Sequence, residues 1–274
     1  MPGSRSRRSE ADLDPTLRAA TEAEYALWRS SPVLAWRARH EPSAPPPPAF
    51  ADVMARETGQ VVNHYATAYL RSPATAARLF GQEGRVTFLE RYTVPGWWEV
   101  RVDAVFRPRD GAPASIVTID SRIGAVADAL PETLRHLAYQ RFTMRQYGIP
   151  TERCGILRLT ADDGGPPLAE AHSSSDLARA FTFSDVTAAI YGNDGRKGEE
   201  PASIERRVIV EAREVTPFLR QATRPTGAAS EPLSLPRSVG YRDGSARTRA
   251  QVLAAMSRLG YAPAKRARLM TAVV

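Results

Sequence analysis

Two aspartates and an arginine are spaced so that they could do chemistry together. Asp103 lies in the run WWEVRVDAVFRPRDG, Asp120 and Arg122 lie in SIVTIDSRIG, and Asp110-Gly111 between them is a turn signal. The first run alternates with period two, with Val100, Val102, Ala104 and Phe106 on one face and Arg101, Asp103 and Val105 on the other. The spacing predicts an antiparallel hairpin in which Asp120 and Arg122 project together and Asp103 comes beside them. Two carboxylates on neighbouring strands can hold Mg2+ or Mn2+; Mg2+ takes hard oxygen ligands and keeps several waters. Such an ion polarises a phosphoryl group and lowers the pKa of an attacking water, while a nearby cation steadies the developing charge. The same residues also fit a plain Asp–Arg pair at an exposed strand end, which contributes little.

The elements that must position these residues can be read along the chain. Ser31-Pro32 is an N-cap with proline in the first helical position, opening a short helix through Leu34, Trp36 and Arg37. PSAPPPP at 42–48 predicts a stiff linker. A helix over about 50–70 follows, with Val53, Val61, Tyr65 and Ala68 as its stripe and Gly59 inside it. Strand patterns cover 86–91, 97–107 and 115–120. Leu130, Leu134, Leu137, Ala138 and Phe142 then mark a helix stopped by Gly148, with Pro150 beyond. A further strand is expected at 155–160 and short helices at 176–181 and 185–191. Residues 207–215 fit a strand or a helix, and 245–259 reads as an amphipathic helix.

Composition narrows the classes. The chain has 274 residues, 43% of them hydrophobic, enough for one large domain with appendages. No apolar run reaches the ~20 residues a spanning helix needs, so no membrane association is expected. The Arg- and Ser-rich start is followed by no apolar stretch, so a secretory signal is not expected. One cysteine, Cys154, excludes an intramolecular disulfide and any four-cysteine zinc or iron–sulfur site, and the cytoplasm is the expected location. The net charge of +7 is uneven, because residues 220–274 hold ten Lys or Arg against two acids. Such a tail fits contact with phosphate backbones, and equally a solvated, solubilising end. Lysine is nearly absent, with only Lys197 and Lys265 against 35 arginines.

The order of these parts resembles the RecB-type branch of the PD-(D/E)XK nuclease superfamily. Its carriers are WWEVRVDAVFRPRDG, SIVTIDSRIG and the helix LAYQRFTMRQYGI, which match a motif Asp, a strand with (D/E)-x-K and a helix with a glutamine. SPVLAWRARHEP before the core and ARAFTFSDVTAAI after it are similar to segments of uncharacterised bacterial proteins with this core, so the resemblance covers roughly 31–191. It implies an α/β fold with a restriction-endonuclease-like core, a mixed central sheet flanked by helices. It further implies Asp103 and Asp120 as metal ligands, Arg122 in the lysine position, and Gln140 supporting the site or touching substrate. His64, in GQVVNHYA, resembles the helix histidine that adds a metal ligand in some RecB-type enzymes, although it stands five residues after Gly59 where the pattern has four. His64 and Gln140 also fit ordinary packing roles, and Glu90 fits a site acid or a surface charge.

The expected organisation is therefore a disordered arm over 1–30, a nuclease-like domain over 31–191 and a basic extension over 192–274. The expected function is Mg2+-dependent cleavage of DNA. The alternatives are a catalytically degenerate nuclease fold that binds nucleic acid or a protein partner, and an adaptor unrelated to nucleic acid. Arginine at 122 bears on this choice, because a guanidinium stabilises charge but cannot accept a proton.

Overall fold

The computed structural model describes residues 17–41, 50–120, 130–160, 168–171, 173–191, 203–223, 225 and 260. Arg122, the helix expected at 245–259 and nearly all of the basic tail lie outside them. In chain order the elements are β1 (Ala20–Thr21), α1 (Glu22–Ser30), α2 (Pro32–His40), α3 (Phe50–Arg71), α4 (Pro73–Phe80), β2 (Gly84–Val94), β3 (Trp98–Pro108) and β4 (Ala114–Asp120). They continue with α5 (Leu130–Gln146), β5 (Thr151–Leu159), α6 (Ser174–Ala180), β6 (Phe181–Asp185), α7 (Thr187–Tyr191) and α8 (Ile204–Leu219). The chain is an α/β protein with one mixed six-stranded sheet between helical layers.

Strands β2, β3 and β4 form an antiparallel meander, β5 returns parallel to β4 through α5, and β6 pairs antiparallel with β5. Residues from α1, α2, α5 and α8 share one core with one face of the sheet. Residues from α3, α4 and α6 cover the other. Two elements escape the sequence pattern. Helix α4 is capped by Ser72 with Pro73 in its first turn, and β6 occupies the chain between two helices that the apolar spacing alone would nearly fuse.

The expected alternation of β3 needs correction. Val100, Val102 and Val105 face the α5 side, whereas Ala104 and Phe106 face the α3–α4 side. The change of phase occurs in β2 as well. Phe88 packs toward the α3 layer, but Glu90 and Tyr92 reach Arg107 on the opposite face, where Thr87 also bonds it. The cause is local. Leu89 has φ 55, a left-handed conformation, and Leu89 and Asp103 are the one facing pair missing from an otherwise continuous ladder. Left-handed backbone costs an L-residue roughly 1–2 kcal/mol, so a period-two reading of the sequence has no means of anticipating it.

The ends of the domain also differ from expectation. Residues 20–30, expected to belong to a disordered arm, form β1 and α1, and Tyr25 and Leu27 enter the core. Thr21 and Glu24 form a capping box that starts α1. Arg39, 2% exposed, then locks the arm in place. Its Nε and Nη2 each bond a Glu24 carboxylate oxygen at 2.8 Å, and Nη2 also donates to the Ala19 carbonyl at 2.8 Å. At the other end α8, within the expected extension, is a core helix. Val208, Ala212, Val215 and Leu219 are fully buried, and Arg141 on α5 pairs with the buried Glu205. The apolar spacing of 208, 212, 215 and 219 decides residues 207–215 for a helix. No described helix is long and apolar enough to cross a membrane.

Candidate functional site

A fork in the sheet creates a cleft that both motif aspartates enter. On one edge, β3 pairs with β1 through Trp98 and Glu99, and with β4 through Ala104 to Phe106. Between these two partners the edge of β3 opens. Gln140 on α5 fills part of the gap, donating its Nε2 hydrogen to the Arg101 carbonyl at 3.1 Å. The cleft beside it has a volume of about 470 Å³, and its walls come from α1, β3, β4 and α5.

Asp103 and Asp120 both line this cleft, with Thr118 between them. The register of β3 against β4 puts Thr118 directly across from Asp103, and Asp120 follows two residues later on the same face. Asp103 reaches the cleft because it shares the α5 side with Val105, two residues on, and lies across from Thr118 in the β3–β4 register. Its Oδ2 accepts the Ile119 backbone N–H at 2.9 Å, which ends the β3–β4 ladder with a side chain. Burial raises the Asp103 carboxyl above its ordinary range, and the Ile119 N–H together with the nearby His136 and Arg101 side chains only partly opposes this. Asp120 and Thr118 are buried, at 6% and 8% exposure, and the Thr118 hydroxyl oxygen has no hydrogen-bond partner among the described residues.

Gln140 is fully buried beneath the cleft and does not line it. Its second Nε2 contact is the His136 Nε2 at 2.8 Å. The amide nitrogen is a donor in both contacts, so the imidazole accepts at Nε2 and directs its Nδ1–H at the Glu22 carboxylate, with which it pairs. His136 and Glu22 line the cleft where Gln140 does not. The sequence carried a signal for His136, since it stands one helical turn before Gln140. It carried none for Glu22, which lies in the segment expected to be disordered.

The remaining expected residues fall elsewhere. His64 is exposed on α3, stands edge-on to Tyr65 and does not line the cleft. Its helix packs through Val62, Ala66 and Leu70 on the opposite face of the sheet. Glu90 forms an ion pair with Arg107 at 2.6 Å, away from the cleft. The Cys154 thiol is buried and pushed up to about 12, which makes it unreactive.

The donor set suits a hard cation. Asp103 and Asp120 offer carboxylate oxygens, and the buried Thr118 hydroxyl between them lacks a partner among the described residues. Among the described residues no three or more His, Cys, Asp or Glu side chains are grouped to hold a metal ion, so any such ion would depend on waters for most of its shell. No protein-family model and no curated protein sequence matches the chain.

Proposed function

We propose that this chain is a divalent-metal-dependent nuclease of the PD-(D/E)XK type, with the cleft between α1, β3, β4 and α5 as its site. One observation carries the proposal: Asp103 and Asp120, from adjacent strands, open into a single cleft at a fork in the sheet. The surrounding order supports it, since a helix, a three-stranded meander, a crossover helix and a parallel strand follow one another as in the sequence resemblance. Asp103 and Asp120 would hold Mg2+ or Mn2+, which supplies charge stabilisation at phosphorus and a more acidic water. The chain's own groups do the rest. Gln140 keeps the fork open by satisfying Arg101, and the His136–Glu22 pair bridges α5 to α1 across the cleft wall.

A second reading has its own support. In a catalytically degenerate nuclease fold the cleft would bind a nucleic-acid strand or a protein partner without cutting. The raised Asp103 carboxyl, its engagement by Ile119 and an arginine at position 122 favour it. The discriminating assay is cleavage of plasmid and single-stranded DNA with Mg2+ or Mn2+. The nuclease reading expects activity that Asp120→Asn abolishes and Arg122→Lys raises. Inactivity of the native chain and of the lysine variant alike would leave the binding reading.

A further inference from the structure

Three hydrogen-bond donors on the cleft wall converge on one carboxylate that is not itself part of the cleft. Tyr25 donates its hydroxyl to Glu211 Oε2, Arg29 Nε lies 3.6 Å from the same oxygen, and Arg135 Nη1 lies 3.8 Å from Oε1. Tyr25, Arg29 and Arg135 all line the cleft that holds Asp103 and Asp120, whereas Glu211 reaches them from α8. The tyrosine is held independently of Glu211: it is 3% exposed and stacks on Tyr139 with ring centroids 4.6 Å apart.

The two guanidiniums are under-used by this arrangement. A charge-assisted N–H···O bond closes to about 2.7–2.9 Å, and neither arginine reaches that distance to Glu211. Arg29 does make a 2.8 Å contact, but to Glu132, which is half exposed. The charge pattern of the cleft gives these arginines a task. Glu22, Asp103, Asp120 and Glu132 line it, and Arg29 and Arg135 are its only Arg or Lys among the described lining residues. An anionic strand placed over the aspartates would be repelled unless those two cations faced it.

We propose that Tyr25, Arg29 and Arg135 form a phosphate subsite for a nucleic-acid strand, and that Glu211 fills this subsite as an internal carboxylate in the free protein. The proposal rests on the nucleic-acid reading of the cleft. A phosphodiester oxygen replaces the Glu211 carboxylate, the planar guanidiniums gain short paired contacts, and the tyrosine hydroxyl turns to the same anion. Glu211 thereby lowers affinity for all sequences equally, because phosphate contacts carry no base information.

The test is fluorescence anisotropy with a labelled single-stranded oligothymidylate, using the full chain in EDTA so that binding is read without cleavage. Glu211→Gln keeps the shape and the tyrosine contact but removes the competing charge. It should tighten binding by about fivefold, the worth of a partly exposed ion pair. Arg135→Gln in the native background should weaken binding, and in the Glu211→Gln background it should remove the gain. Unchanged affinity of a folded Glu211→Gln protein overturns the proposal, as does a gain that survives loss of both arginines. If Glu211→Gln does not fold, Arg135→Gln alone decides: native affinity in that variant overturns the subsite. DNA cleavage is scored separately with Mn2+. Cleavage without a Glu211 effect refutes only the subsite, and a Glu211 effect without cleavage refutes only the hydrolase reading.

Discussion

Removing the Arg39 guanidinium should collapse the α1 wall of the cleft before the sheet is touched. Arg39 is 2% exposed, and its fork holds both oxygens of Glu24 at 2.8 Å, while Nη2 also bonds the Ala19 carbonyl. Arg39→Met fills the volume but leaves a largely buried carboxylate and a carbonyl without their partner. Breaking a buried pair from one side costs about 3–5 kcal/mol, a large share of the ~5–15 kcal/mol that holds a domain together. At roughly 2–4 °C per kcal/mol for a chain of this size, Tm should fall by about 6–20 °C. Arg39→Lys should recover only part, because an ammonium cannot span both carboxylate oxygens. The double variant Arg39→Met with Glu24→Leu should be more stable than Arg39→Met alone, since no charge is then stranded. The pH dependence follows with a definite sign. Burial pushes the Glu24 carboxyl up, but the Arg39 and Thr21 contacts outweigh it and leave the group below its ordinary range. Its stabilisation is therefore present above the ordinary carboxylate range and is lost as pH falls through the lowered folded value. Urea unfolding at pH 7 and pH 3, together with amide hydrogen exchange over Tyr25 to Arg29, measures both effects. A loss below about 1 kcal/mol for Arg39→Met, with native exchange in α1, would refute the reasoning, since buried-pair breakage cannot be that cheap.

Three further outcomes are expected. Leu89→Gly should leave the fold intact, because glycine accepts φ > 0, whereas Leu89→Val should lower Tm, because a β-branched residue tolerates φ > 0 poorly. A valine variant with native Tm would show that position 89 does not require the left-handed conformation. Glu90 is held down to about 2: burial raises it, and the Arg107, Tyr92 and Thr87 contacts lower it further than that. Glu90→Gln should therefore erase a small stability increment, on the order of 1 kcal/mol for a partly exposed pair, that the native chain keeps above pH ~4.5 and loses toward pH ~2. Parallel urea midpoints of the two proteins from pH 7 to pH 2 would contradict this. Deleting residues 226–274 should flatten the slope of log affinity against log salt on duplex DNA by about 4, as roughly four to five phosphate contacts are lost. The cut falls there because Arg220 lies over Trp97 and the Gln221 carbonyl accepts from Trp36, so the chain contacts the domain through Gln221. An unchanged slope would assign the tail's charge to solvent.

Local chemistry in the sequence determined most of the elements. Ser31-Pro32 started α2, the apolar spacing of Leu134, Leu137 and Phe142 marked α5, and Gly148, at φ 99, ended it. The runs 97–107 and 115–120 marked the strands that carry Asp103 and Asp120, which form as Trp98–Pro108 and Ala114–Asp120. These signals survive in the sequence because each depends on neighbours within a few residues.

Tertiary structure decided which of those residues meet. Leu89 reverses the faces of β2 and β3, and so brings Val100 and Val102 to the side that Asp103 and Val105 already share, through a backbone state that no leucine announces. His64 sits on a good helix, but α3 packs against the other face. Gln140 was legible as a residue of the helix after the hairpin, yet its place behind His136 depends on a fork between β1 and β4 that only long-range pairing creates. Glu22, Tyr25 and Arg29 were hidden for the same reason. The segment before residue 31 has a weak local pattern, and it is ordered by Arg39 from α2 and by the α5 and α8 surfaces it covers. A contact made across some 100 residues is set by how the layers pack, and the types and spacing of its partners do not record it.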